Sequence, residues 1–243
     1  MTYLELVQRM MEECGVSGTI TTVDDQQGSI QRCVNWIQQA WTEIQTDHDD
    51  WQFMRSSKLL GGGVSFPTIS GQLFYPVGTG VGEVGLLEEN LGDWDMDSFR
   101  CMTTTTGIQD ETFLDNILYD NWRNCYMYGA MQSVITRPVA ISKGPENQLC
   151  LGPASNGNYT ITGDFIWAPQ TLEDDADVPQ NRGGTFTLPE RFNMLIVYRA
   201  MDYYASYESA PEVKQRAVEG QGRLRPKMET LYLPQMLSGG ALA

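Results

Sequence analysis

The chain has 243 residues, of which 41% are hydrophobic, enough to bury one large core or two smaller ones and too apolar for a disordered polymer. Its 31 Asp and Glu against 16 Lys and Arg give a net charge of -15, a single-sign field that repels phosphates and argues against sequence-specific DNA binding. Five scattered cysteines, an odd number with no CxxC pair, predict reduced thiols and assembly in a cytosol.

At the N-terminus no basic region precedes an apolar run, so no signal peptide is expected. Thr2 and Glu5 form a capping box in front of Leu4, Val7, Met10 and Met11, which predicts a short amphipathic helix stopped by Gly15. Ile30, Cys33, Val34, Ile37, Trp41 and Ile44 then recur at helical spacing through about Gln45. That second helix ends in the acidic run Asp47-His48-Asp49-Asp50.

The texture then changes to Gly, Thr and short apolar runs. Strands are expected at Val64 to Ile69, Gln72 to Val77, Phe99 to Thr103, Pro138 to Ser142, Gln148 to Leu151 and Tyr159 to Trp167. Asp110 as a cap, followed by Phe113, Ile117, Tyr119, Trp122, Cys125 and Tyr126, predicts one helix inserted at about 110–128. Asn156-Gly157 reads as a hairpin turn between two strands. The acidic loop Glu173 to Gly184 is expected to be exposed and mobile.

The stretch Pro189 to Glu219 predicts two helices broken at Ala210-Pro211. The first has no clean polar face, because Met194, Val197, Tyr198, Met201, Tyr204 and Ala205 fill the side opposite Phe192, Leu195, Ile196, Ala200, Tyr203 and Tyr207. Arg199 and Asp202 interrupt it too often for a membrane span. It must therefore be covered all round, either by its own bundle or by a neighbouring subunit. After Pro226 the pattern fades, which predicts an arm over 226–243 that either frays or orders on a partner.

Motifs of chemistry are few. Gly80-Val81-Gly82-Glu83-Val84-Gly85 fits GxGxxG, but no long helix follows it, so a β loop is expected in place of a phosphate cradle. Asp93-Trp94-Asp95-Met96-Asp97 has the first spacings of a calcium loop, yet Ser98 and Thr104 occupy the positions that need Gly and Glu, leaving a turn with a packed Trp94. His48 is the sole histidine, and neither a GxSxG elbow nor an HExxH motif is present. No catalytic, metal or cofactor residue is nominated.

The blocks TYLELVQRMMEECGVSG, NWIQQAWTEIQTDHDDWQFMR, DWDMDSFR and FNMLIVYRAMDYYASYESAPEVKQRA, in this order, resemble the head-to-tail adaptor (connector, neck) proteins of tailed bacteriophages. The segment from Ile135 to Leu172 is similar to that family's β meander. The resemblance implies a virion protein assembled in the bacterial cytoplasm. It implies a ring, commonly of twelve copies, that binds the portal above and a tail or nozzle protein below while genome DNA passes through unbound.

The combined expectation is an α+β subunit without enzymatic activity. Residues 1–55 and 187–225 would form a helical layer, 56–186 a mainly antiparallel β region with the inserted helix, and 226–243 an extended arm. Tyr198, Tyr203, Tyr204 and Tyr207 are the candidates for packing or subunit contact. Leu231, Tyr232, Leu233, Met236 and Leu237 are those for portal or partner docking. A carbohydrate-binding or glycan-cleaving virion component is the alternative, with Trp94, Trp122 and Trp167 as a sugar platform.

Overall fold

The computed structural model describes residues 1–56 and 62–234 and has the expected α+β architecture. The chain divides into a helical unit, Met1–Met54 with Pro169 onward, and a β unit, Arg55–Ala168.

In the helical unit, α1 (Tyr3–Cys14) starts at the Thr2–Glu5 capping box and ends at Gly15, whose φ of 69° lets the chain turn left-handed. The apolar stripe of α2 (Gly28–Thr46) buries Cys33, Ile37, Trp41 and Ile44. After the β unit, α4 (Glu190–Glu208) and α5 (Pro211–Tyr232) meet at the expected break. Helix α4 packs against α1, α2 and α5, and every residue from Phe192 to Ala205 is buried or half-buried. The all-round cover that its sequence demands therefore comes largely from this chain.

Two expectations about this unit are corrected. Helix α5 does not stop before Pro226; it runs through that proline to Tyr232, with Met228 fully buried beyond it, so 226–232 is helix and not arm. The loop from 173 to 184 is anchored at several points. The Asp175 carboxylate accepts the Val23 N–H, and buried Asn181 bonds the Phe53 carbonyl and the N–H groups of Thr185 and Phe186. Gln170 likewise bonds Trp41 and Gln45, which ties 169–188 to the helices, whereas the sequence reading extended the β region to 186.

The β unit has two four-stranded sheets. One has the order β1 (Val64–Pro67), β8 (Tyr159–Trp167), β3 (Leu91–Thr103), β4 (Thr112–Phe113). The other has β2 (Phe74–Tyr75), β7 (Leu149–Gly152), β6 (Ala140–Lys143), β5 (Asp115–Asn116). All pairings are antiparallel except β5 with β6. Phe66, Tyr75, Phe99, Ile141, Leu151, Ile161 and Phe165 belong to one buried cluster.

The segment 110–128 is not one helix. It forms β4 and β5 and becomes helical only in α3 (Tyr119–Trp122) and a wide turn, Arg123–Met127. Asp110 does not act as a helix cap, because its carboxylate is taken by Arg137 and Thr103, and this clamp helps hold the chain extended along β3. Asn156-Gly157 is no hairpin, since β7 and β8 lie in different sheets. The acidic stretch 93–97 is part of β3, followed by an irregularity in the pairing with β8 between Asp95 and Arg100, and not a turn. Gly78–Gly85 is a β loop closed by a Gly78–Leu86 bridge.

Candidate assembly surface

The side chains that could meet a partner follow from how α5 lies on α4. Val213, Ala217 and Met228 bury one face of α5, and between them Gly220 lets the Tyr198 ring come close. A Cβ on Gly220 would sit 2.5 Å from that ring. The Gln221 amide donates to the Tyr198 carbonyl at 3.2 Å and fixes the register of the two helices.

Along this seam lie two depressions, one after the other. The first, of about 380 Å³, is lined by Glu13, Tyr198, Arg216, Glu219, Gly220 and Arg223. The second, of about 550 Å³, is lined by the apolar Phe192, Leu224, Pro226 and Leu231 together with Arg191, Lys227 and Thr230. Arg216, Arg223 and Lys227 are spaced i, i+7 and i+11, which sets them on one flank of α5. Glu13 holds Arg216 at 3.5 Å, while no ion pair engages Arg223 or Lys227 among the described residues.

The four nominated tyrosines have distinct positions. Tyr198 lines the groove. Tyr203 bonds Glu43 beside Arg199, and burial together with that carboxylate pushes its hydroxyl up to about 12. Tyr204 and Tyr207 pack on Trp36, and Arg32 stacks over Tyr207 at 4.4 Å. All four make contacts within their own unit, and Tyr207 alone is more than half exposed.

Of the docking candidates, Leu231 is half exposed and lines the groove. Tyr232 faces inward against Phe53, Phe186 and Phe192 at 5.3 to 6.0 Å, so its ring anchors the end of α5. The Leu233 N–H closes the helix onto the Glu229 carbonyl. Met236 and Leu237 lie outside the described residues. The end of α5 is further tied to α2: Arg225 pairs with Asp47 and Glu229, and His48 Nε2 lies 3.2 Å from Glu229.

Two of the three tryptophans expected as a sugar platform are not at the surface. Trp94 and Trp122 are buried, and Trp167 packs edge-on against Phe165. Burial also pushes the Cys14 and Cys150 thiols up to about 12 and Cys33 to about 11, which keeps them protonated and unreactive.

Of the residues expected from sequence to meet a partner, Tyr198 and Leu231 line these depressions, while the cationic flank beside them was not among the candidates. Its signal was present in the spacing of Arg216, Arg223 and Lys227, and was lost because α5 was expected to end before Pro226. The chain matches no known family profile and no curated protein sequence.

Proposed function

We propose that this chain is a structural adaptor of a phage neck, which assembles as a ring, joins the portal to a tail or nozzle protein, and lines the conduit for DNA. The observation that carries the reading is the open α4–α5 groove, lined by apolar and cationic side chains, on a helical unit that contains three of the four blocks resembling the adaptor family. A groove of this composition suits packing against protein, where an apolar centre and a charged rim recur. The β unit adds Ile108, Phe113, Leu118, Ile135 and Val139, all more than half exposed within 32 consecutive residues, and large apolar side chains left in water suit a subunit with several neighbours.

The role is geometric. Subunits pack side by side, and a net charge of -15 keeps DNA from adhering to the wall of the channel, because few cations are available to displace its counterions.

The test is electron microscopy of the purified protein, alone and mixed with portal rings. Rings in either sample are expected, and a complex with portal should elute as one species. A protein that stays monomeric and unbound with portal, or forms trimers retained on glycan resin, overturns the reading.

A further inference from the structure

We infer that the cationic flank of the α4–α5 groove receives the acidic face of α1 and the α1–α2 connector from a second copy of the chain. The inference rests on the adaptor reading for the ring, and adds which two faces meet in it.

Charge is divided unevenly within the helical unit. Helix α5 carries five Lys and Arg against three Glu, in a chain whose net charge is -15. Residues 1–27 carry five Asp and Glu against one Arg. Glu5, Glu12, Asp24 and Asp25 are all exposed, as are Arg191, Arg223 and Lys227. Helix α5 packs chiefly on α4, α4 also packs on the α1–α2 pair, and Glu13 at the end of α1 already pairs with Arg216 of the same chain, which leaves Arg223 and Lys227, further along α5, for a second copy.

The sign of the charges selects which faces can meet. A contact that laid the α5 flanks of two copies against each other would set Arg223 and Lys227 against their own equivalents, which repels. A head-to-tail contact sets the α5 flank against the α1 face, which attracts, and repeats around a ring if the rotation closes. Duplex DNA is the competing occupant of a cationic groove, but phosphates gain nothing from Phe192, Leu224 and Leu231, and the field of the whole chain opposes them. A protein segment satisfies both the apolar and the cationic side chains.

The experiment uses two full-length double variants, R223E/K227E and E12K/D24K, measured by native mass spectrometry and sedimentation at low ionic strength. All four positions are exposed, so each variant should unfold at the wild-type temperature. Wild-type association should weaken with salt, and each variant alone should associate about tenfold more weakly or worse, because like charges now face each other. An equal mixture of the two should regain association, since the reversed α5 of one then meets the reversed α1 face of the other in alternation. A mixture no better than its components, or variants that assemble like wild type, overturns the inference and leaves the adaptor reading standing. Loss of duplex-DNA retention by R223E/K227E with association unchanged also overturns it, by assigning the cations to nucleic acid. A wild-type chain that never self-associates overturns it too, while portal binding still decides the adaptor reading separately.

Discussion

Two glycines two residues apart in α5 should respond to alanine with opposite signs. Alanine is normally better than glycine in a helix by about 0.8–1.0 kcal/mol. A Cβ at Gly222 meets nothing within 4 Å, so Gly222→Ala should raise stability by about that amount. At Gly220 the added atom would sit 2.5 Å from the Tyr198 ring, and overpacking of roughly 1–3 kcal/mol outweighs the helix gain. Gly220→Ala should therefore lower the thermal midpoint, and combining it with Tyr198→Ala should remove the clash component; a stabilising Gly220→Ala would show the ring free to move aside. A second residue-scale expectation concerns Glu43. Burial works to raise its carboxyl, but hydrogen bonds from Tyr203, Gln39 and Arg199 outweigh burial and hold it below its ordinary 4.5. The folded state thus binds the proton less readily than the unfolded chain. Its contribution is present above about pH 4.5 and is lost as pH falls through the lower folded value. Thermal midpoints measured from neutral to acid pH should fall less steeply for Glu43→Gln than for wild type.

Helix α5 is the element on which sequence and structure part most instructively. Pro226 removes an N–H from the helix interior and crowds the carbonyl of residue 222, which is why the pattern was expected to end there. The structure carries the helix past it because Met228 is buried beyond the proline and the Tyr232 ring packs on Phe53, Phe186 and Phe192. Tertiary packing outweighs a local penalty of about 3 kcal/mol. Pro226→Ala should accordingly stabilise the protein, by about 2 kcal/mol once roughly 1 kcal/mol of added unfolded-chain freedom is set against the relief. Denaturant unfolding reads this directly, and an unchanged midpoint would mean that the helix loses nothing at the proline. Elements with their own stop signals were legible in advance: α1 through Thr2, Glu5 and Gly15, α2 through its apolar stripe, and the α4–α5 break through Ala210-Pro211. Those decided by distant partners were not. The extended run at 111–116 follows Asp110, which Arg137 holds, and the acidic half of β3 pairs with β8, Lys143 and Arg55. The same applies to the groove, since its lining takes Phe192 and Tyr198 from α4 and Leu224 and Leu231 from α5.

At the scale of the whole molecule, the chain is a helical unit interrupted once by a β unit that has its own core. The interruption begins and ends at one place. Arg55 bridges to Ile166 in antiparallel fashion, and the Ser56 N–H donates to the Phe165 carbonyl at 2.7 Å. The two ends of the β unit are thus hydrogen-bonded neighbours. Each part retains its buried cluster: Phe66, Phe99, Ile161 and Phe165 in one, Leu6, Met10, Ile37, Trp41 and Ile196 in the other. A fragment of residues 55–168 should therefore fold alone with the circular dichroism of a β protein and a single cooperative transition. The complementary chain, with 54 joined to 169 through a short Gly-Ser linker, should fold as a helical protein. Because the groove and the acidic α1 face both lie in the helical unit, this second protein should also keep whatever self-association the full chain shows, at comparable affinity and salt dependence. Failure of the helical protein to fold would mean that the β unit supplies part of its stability. A folded helical protein that no longer associates would move the ring contacts to the β unit, to the exposed side chains between Ile108 and Val139.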